Sequence, residues 1–333
     1  MSIKCMKVAE VVGIKPQQDG DVGIEIEVEY PRAVDYYTTS PWMTKSDGSL
    51  RYSGYEYITA KPIPIKSIDD SLKHMIDYIN KNNPIIASPR TSVHVHVNTL
   101  DHTAVEYCNA LLIGWLLENA MVKYCEPKLR EGNLFCLRAK DAESTIVYAM
   151  NSLSKVYSKT SIANPLKFKD NQVRYSAQNY MSTGTFGTIE YRSMAGIYET
   201  KKISTWAKAL HTMVESGKKF ESPEDVFNFY LRSTPEEFVY HILGAYHSIV
   251  TDQKDWQDLI SEQEGMLANF AYMTDWKDWA DQLAKRIAKL PPPSDKKIRA
   301  RGLAQYEVQD LGANAFVAVE PIARPMHTVD EEF

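Results

Sequence analysis

The stretch "VGIEIEVEY", residues 22–30, sets Glu25, Glu27 and Glu29 at alternate positions, with Ile24, Ile26 and Val28 between them. In a β-strand successive side chains point to opposite faces. One face is therefore aliphatic. The other carries a ladder of carboxylates about 7 Å apart, twice the rise per residue. Such a face is either solvated or holds something positive.

Two further stretches share this grammar. In "TSVHVHVNTL", residues 91–100, His94 and His96 share one face and Val93, Val95 and Val97 the other. Two imidazoles at that spacing suit a metal ion, although a lone HxH is more simply a pair of hydrogen-bonded, half-buried histidines. In "TIEYR", residues 188–192, Glu190 and Arg192 share a face while Ile189 and Tyr191 share the other. Alone, that pair is an ion pair worth little when exposed. If the three strands are neighbours in an antiparallel sheet, their polar faces converge. Glu25, Glu27, Glu190, His94 and His96 would then repel and desolvate one another unless a cation sat among them. Mg²⁺ and Mn²⁺ take carboxylate oxygens, and Mn²⁺ also accepts imidazole. Carboxylates about 7 Å apart on one strand can each anchor one ion of a pair about 4 Å apart. A pair of that kind suits phosphoryl transfer, where metals and arginines neutralise the moving group.

Outward from these strands, the first hundred residues read as β-rich. A strand or hairpin is expected over 7–15 and a polar loop over 36–47, followed by a strand in "GYEYITAKPI". Leu72, Met75, Ile76 and Ile79 lie at helical spacing and predict a helix over 69–82, which "NNP" stops. Asp101 is the expected cap of a long helix reaching about residue 126, and another helix is expected over 141–154. "QVRYSAQNYMSTGTFGTIEYRSMAG" reads as two strands around a "STGTFG" turn. Ile203, Trp206, Leu210, Met213 and Val214 share one face of a helix over 199–216. From 223 to 290 the pattern is helical, with starts at "SPED" and "TPEE", each a Ser or Thr cap with Pro at the first helical position. Its aromatics, Phe227, Phe229, Tyr230, Trp256, Trp276 and Trp279, read as packed core. The expected organisation is a catalytic domain over 1–222 with a helical insertion at about 101–155, a helical subdomain over 223–290 and an extended tail over 291–333.

The 333 residues are 44% hydrophobic, and 38 Lys+Arg against 43 Asp+Glu give a net charge of −5. That balance argues against a dedicated nucleic-acid binder, and the basic run "DKKIRAR" at 295–301 reads as a solvated linker. No apolar run approaches the ~20 residues of a membrane span, and "ALLIGWLL" at 110–117 suits a buried helix. The N-terminus lacks a signal-peptide pattern, and the four cysteines show no CxxC pairing. A cytoplasmic protein with reduced thiols is expected.

The motifs taken together, in order, resemble the amidoligases, carboxylate–amine ligases related to glutamine synthetase and γ-glutamylcysteine ligase. The resemblance runs from about residue 23 to 206 and rests on "GIEIEVE", "DGSLRYSGYEYITAKPI", "SVHVHVN", "LREGNLFC", "RYSAQNY" and "TIEYRSMAG". It implies an α+β fold in which a curved antiparallel sheet forms half a funnel with helices on its outer face. It further implies that ATP phosphorylates a carboxylate, and that an amine displaces phosphate from the acyl phosphate to give an amide. On this resemblance Glu25, His94 and Glu190 hold the metal that bridges the nucleotide phosphates, while Glu27 and Glu56 hold a second metal nearer the acyl phosphate. The cofactors are ATP and Mg²⁺ or Mn²⁺. Arg192 faces the transferred phosphoryl group, and Arg174 and Arg130 meet nucleotide phosphate or substrate carboxylate. His96 orients His94 or contacts substrate, and Asn179 supports the site. Asp47 is either a base or merely the first residue of its "DGS" turn, and Glu29 is expected to be solvated. Loops 36–53 and 155–171 are the candidate lids over an intermediate that water would destroy.

Partners implied are small-molecule, peptide or protein carboxylates and amines, and the C-terminal helices and tail offer a surface for a second copy or another protein. Family members occur in bacteria and their viruses. There is no Walker A segment or GxGxxG, so ATP enters through the resemblance alone. A metal-dependent hydrolase using the same Glu/His face, and a non-catalytic interaction protein keeping the fold, stand as alternatives.

Overall fold

The structure is a computed structural model that describes residues 5–273 apart from 16–19, 83, 126–132, 142–143, 145, 150–165, 167 and 169–170. These residues belong to a compact unit spanning 1–284, and a second unit, 285–333, lies outside them. So do Arg130, Trp276, Trp279, the tail, nearly all of the 155–171 loop and the end of the helix expected over 141–154.

Six strands form one open antiparallel sheet: β1 (Val22–Tyr30), β2 (Trp42–Ser46), β3 (Ser53–Thr59), β4 (Ser92–Asn98), β5 (Gln178–Asn179) and β6 (Thr188–Ala195). Their order is β2-β3-β1-β4-β6-β5, so β1, β4 and β6 are adjacent at its centre. Alternation then decides the layers. Ile24, Ile26 and Val28, with Val93, Val95 and Val97 and with Ile189 and Tyr191, join a single apolar core, and the carboxylates and imidazoles take the opposite face.

Helices cover the apolar face. In α2 (Ile68–Lys81) the buried residues are Ile68, Leu72, Met75, Ile76 and Ile79, a stripe at helical spacing. By contrast α3 (Ala104–Val122) is buried on nearly all sides, which makes "ALLIGWLL" the centre of the core. Thr103, not Asp101, caps it: the Thr103 side chain accepts from Glu106 N, and Glu106 Oε2 in turn accepts from Thr103 N. Asp101 instead takes Lys7 Nζ at 2.8 Å.

Three other expectations change. Residues 7–15 hold a helix, α1 (Val8–Val12), because Val8, Val11 and Val12 fall at i, i+3 and i+4 and Glu10 caps the Lys7 N–H. The polar loop over 36–47 contains β2, an edge strand whose Trp42 is buried and donates from Nε1 to Ser71 O at 3.1 Å. The "STGTFG" turn contains a helical turn, α4 (Ser182–Phe186), closed by Gly187 at φ 70°. There a Cβ would come within 2.1 Å of Leu100 Cδ2, so the position needs glycine on two counts.

Helix α5 (Thr200–Glu215) buries Ile203, Trp206, Leu210, Met213 and Val214 as its periodicity predicts. Beyond it come α6 (Pro223–Arg232), α7 (Pro235–Leu243), α8 (Ser248–Thr251) and α9 (Trp256–Met273). Ser222 and Thr234 cap α6 and α7, each before Pro at the first helical position. Phe227 and Tyr230 are buried, and Phe229 and Trp256 pack partly against the core. In α9, Gln263 accepts from Asn119 and donates to Trp115 O, which ties it to α3. Among the described residues no helix is long and apolar enough to cross a membrane. Cys5 is exposed, while Cys108, Cys125 and Cys136 are buried, and among the described residues none of the four is in a disulfide.

Candidate active site

Strand register assembles the polar face. Glu25 lies opposite His94 and Gly23 opposite His96, and across the next pairing His96 lies opposite Glu190. On the other side of β1, Glu27 lies opposite Glu56, and Lys45 of β2 lies opposite Glu56 in turn. Two triplets result. Glu25, His96 and Glu190 bring one ligand atom each within 4.8 Å of one another, as do Glu27, Asp47 and Glu56.

The first triplet is tightly bonded. His96 Nε2 lies 3.2 Å from Glu25 Oε1, and its Nδ1 lies 2.9 Å from Thr188 Oγ1. His94 reaches the same carboxylates through Nδ1, 3.0 Å from Glu25 and 3.4 Å from Glu190, with Nε2 held 2.7 Å from Ser92 Oγ. Asn179 Nδ2 donates to Glu190 Oε2 at 2.6 Å. Burial alone would raise the Glu25 carboxyl, but hydrogen bonds from His94 and His96 hold it well below the usual carboxylate range. Burial likewise opposes the charged forms of Glu190 and His96. The charges of His96 and Arg192 nevertheless hold Glu190 down, and Glu190 and Glu25 push His96 up.

The second triplet lacks that compensation. Burial, then the charges of Glu25, Glu27 and Asp47, push Glu56 up to about 7, against which Lys45 works weakly. Two carboxylates about 4.8 Å apart repel by about 3.5 kcal/mol at an effective dielectric of about 20. Ser92 Oγ donates to Glu27 Oε2, so Ser92 links the second triplet to His94 beside the first. Asp47 is held by its own turn, accepting from Ser49 N and Ser49 Oγ, both at 2.8 Å. Glu29 departs from the expected solvated position. It is 1% exposed, because the 47–52 loop folds over it and Arg51 N donates to its Oε1 at 2.7 Å.

Arg192 donates from Nη1 to Glu190 and from Nε to Phe135 O at 3.1 Å. Burial disfavours its charge, but Glu190, Glu27 and Glu25 raise its pKa above the ordinary value. Arg174 is exposed and stacks its guanidinium over Tyr175 at 5.2 Å, outside both triplets. Arg130 lies outside the described residues. Sequence reasoning passed over Thr188 as the partner of His96, although strand alternation places it on the Glu190 and Arg192 face. Ser92 likewise shares the His94 and His96 face at i and i+2, and that parity was the available signal.

An all-oxygen triplet beside a mixed imidazole–carboxylate triplet, on one face of an open sheet, is a donor set fit for hard divalent cations. The class defined is a protein with an acidic, metal-type site on a sheet face. The chain matches the family model described as "Putative amidoligase enzyme" over residues 47–214, and it belongs to that family. The match includes Asp47, Glu56, His94, His96, Asn179, Glu190 and Arg192, while β1 with Glu25 and Glu27 precedes it. A comparison with curated proteins finds no match.

Proposed function

We propose that the chain is an ATP-dependent ligase that joins a carboxylate to an amine through an acyl phosphate. The observation that carries this reading is the pair of triplets side by side along β1, in a chain of the amidoligase family. Glu25, Glu190 and His96, with His94 beside them, would hold one divalent cation, and Glu27, Asp47 and Glu56 a second. Such cations, when bound, supply charge neutralisation for nucleotide phosphates and a developing acyl phosphate.

The chain's own groups do the rest. Arg192, pinned by Glu190 and Phe135 O, presents a fixed positive charge at the edge of the first triplet and suits the transferred phosphoryl group. Asn179 fixes the rotamer of Glu190, and Ser92 fixes Glu27 against His94. These bonds pre-organise the charges, so little reorganisation is needed when phosphoryl transfer begins.

The test is ADP release by the purified chain with Mg²⁺ or Mn²⁺, ATP and panels of amino-acid and peptide carboxylates and amines. Release that requires both an acid and an amine supports the reading. Hydrolysis of an ester, amide or phosphate without ATP, by a chain that binds no nucleotide, would assign the same face to a hydrolase.

A further inference from the structure

Along β1 the polar face has a direction. Asp47, Glu56 and Glu27 stand at one end, Glu25 follows, and Gly23 beside His96 marks the other. Beyond it β4 and β6 run on to the pairing of Asn98 with Thr188, and Phe186 closes α4 just before that strand begins. Phe186 is 60% exposed, and its ring meets the His96 imidazole edge-on at 5.9 Å between centroids. The support under it is firm: Ser182 Oγ and Thr183 Oγ1 both donate to Thr188 O.

Gly23 is the second observation. Its φ is not in the left-handed region, and a Cβ there would sit at ordinary distances, 3.5 Å from His96 Cβ and 3.6 Å from Thr59 Oγ1. Neither backbone conformation nor crowding demands glycine in this strand interior. What glycine does provide is a bare stretch of sheet next to His96, as strand glycines do where a ligand approaches closely. A bare floor and an exposed, rigidly mounted aromatic ring thus border the same imidazole, at the end of the face away from the all-carboxylate triplet.

We infer that Phe186 and Gly23 form the stacking site for the base of the nucleotide, with its phosphates running back over Glu25, His96 and Glu190. This rests on the ligase reading. A planar π-system suits the exposed ring, and the side-chain-free strand at Gly23 leaves room for it beside His96.

The experiment is calorimetric titration of the full chain with a non-hydrolysable ATP analogue and with inorganic tripolyphosphate, both with Mg²⁺. Phe186→Ala weakens the analogue by about 5- to 150-fold and leaves tripolyphosphate unchanged, while Phe186→Trp binds the analogue as wild type does. Gly23→Val, which adds a branched side chain to the floor, also weakens the analogue selectively. Equal affinity of wild type and Phe186→Ala for the analogue overturns the inference and leaves the ligase reading standing. So does a loss that falls equally on tripolyphosphate. A wild-type chain that binds neither probe overturns both.

Discussion

The charge arrangement makes the metal-free protein's stability depend on Glu56. Its carboxyl moves from the usual 4.5 to about 7 on folding. The folded chain therefore holds that proton more tightly than the unfolded chain does, and folded-state stability falls as pH rises from 4.5 through about 7. At about 1.36 kcal/mol per pKa unit the full effect is about 3.4 kcal/mol. Glu56 is only half-buried, so solvent screening reduces this to about 1–2 kcal/mol. Glu56→Gln keeps the shape and removes the charge. In EDTA at pH 5 the variant and wild type should melt at nearly the same temperature. At pH 8 the variant should melt higher by about 1.5–3 °C, taking about 1.4 °C per kcal/mol from an unfolding entropy of about 2.1 cal/mol/K per residue over 333 residues.

His96, pushed up on folding, contributes stability that is lost as pH rises, and Glu25 and Glu190, held down, contribute stability that is lost in acid. Both proteins share those contributions, so the difference between them isolates Glu56. Saturating Mn²⁺ should reverse the order, since a ligand at 100 times its Kd adds about 2.7 kcal/mol to the wild type and less to a variant missing a ligand. A variant less stable than wild type in EDTA at pH 8, or equal gains from Mn²⁺, would refute the account of repelling carboxylates.

Three further outcomes follow from the same geometry. Glu25→Gln and Glu190→Gln should each lower ADP release by at least about 10²–10³-fold, and full turnover by both would remove the first triplet from the mechanism. Ser92→Ala strips a donor from Glu27 and a partner from His94; Mn²⁺ titration should show affinity reduced about 10–100-fold, and unchanged affinity would mean Ser92 positions nothing. Glu29→Ala should cost about 1–3 kcal/mol by orphaning Arg51 N–H, read by thermal melting. Glu29→Gln, which keeps an acceptor oxygen, should bind Mn²⁺ as wild type does; a loss matching that of Glu27→Gln would make Glu29 a ligand.

The centre of the sheet is legible in the sequence because β1, β4 and β6 each bury one whole face, and burial enforces strict alternation. Parity in "GIEIEVE", "VHVHV" and "TIEYR" therefore states which residues share a surface. Elements that bury little are harder to read. β2 packs chiefly through Trp42, and its solvent side, with Met43 and Lys45, resembles a loop. α1 is a turn and a half long, too short for periodicity to be distinctive. The Thr103 cap is a matter of competition: Asp101 and Thr103 are both good caps, and the reciprocal Glu106 bond decides for Thr103. Glu29 has the right parity for the polar face, yet its burial depends on the 47–52 loop folding back, which alternation along β1 does not encode. Asp47 joins Glu27 and Glu56 for a similar reason, because the β2–β3 register brings its turn against β1.

The two triplets differ in how their charge is met. In the first, two carboxylates face two imidazoles and a guanidinium, and their pKa values are held low. In the second, three carboxylates face little more than Lys45, and one of them holds its proton up to about 7. A cation entering the first must displace favourable bonds from His94 and His96 and the proton that Glu190 and Glu25 stabilise on His96. A cation entering the second relieves repulsion, displaces the proton on Glu56 and competes with the neutral donors Ser92 and Ser49. The all-carboxylate triplet is thus the place where a hard cation meets the least opposition near neutral pH. The imidazole triplet needs an additional negative charge, such as a polyphosphate, to favour filling it alongside Arg192. On the proposed ligase reading, phosphate binding and filling of the imidazole triplet share that electrostatic cause, at the end of β1 where Phe186 and Gly23 also lie.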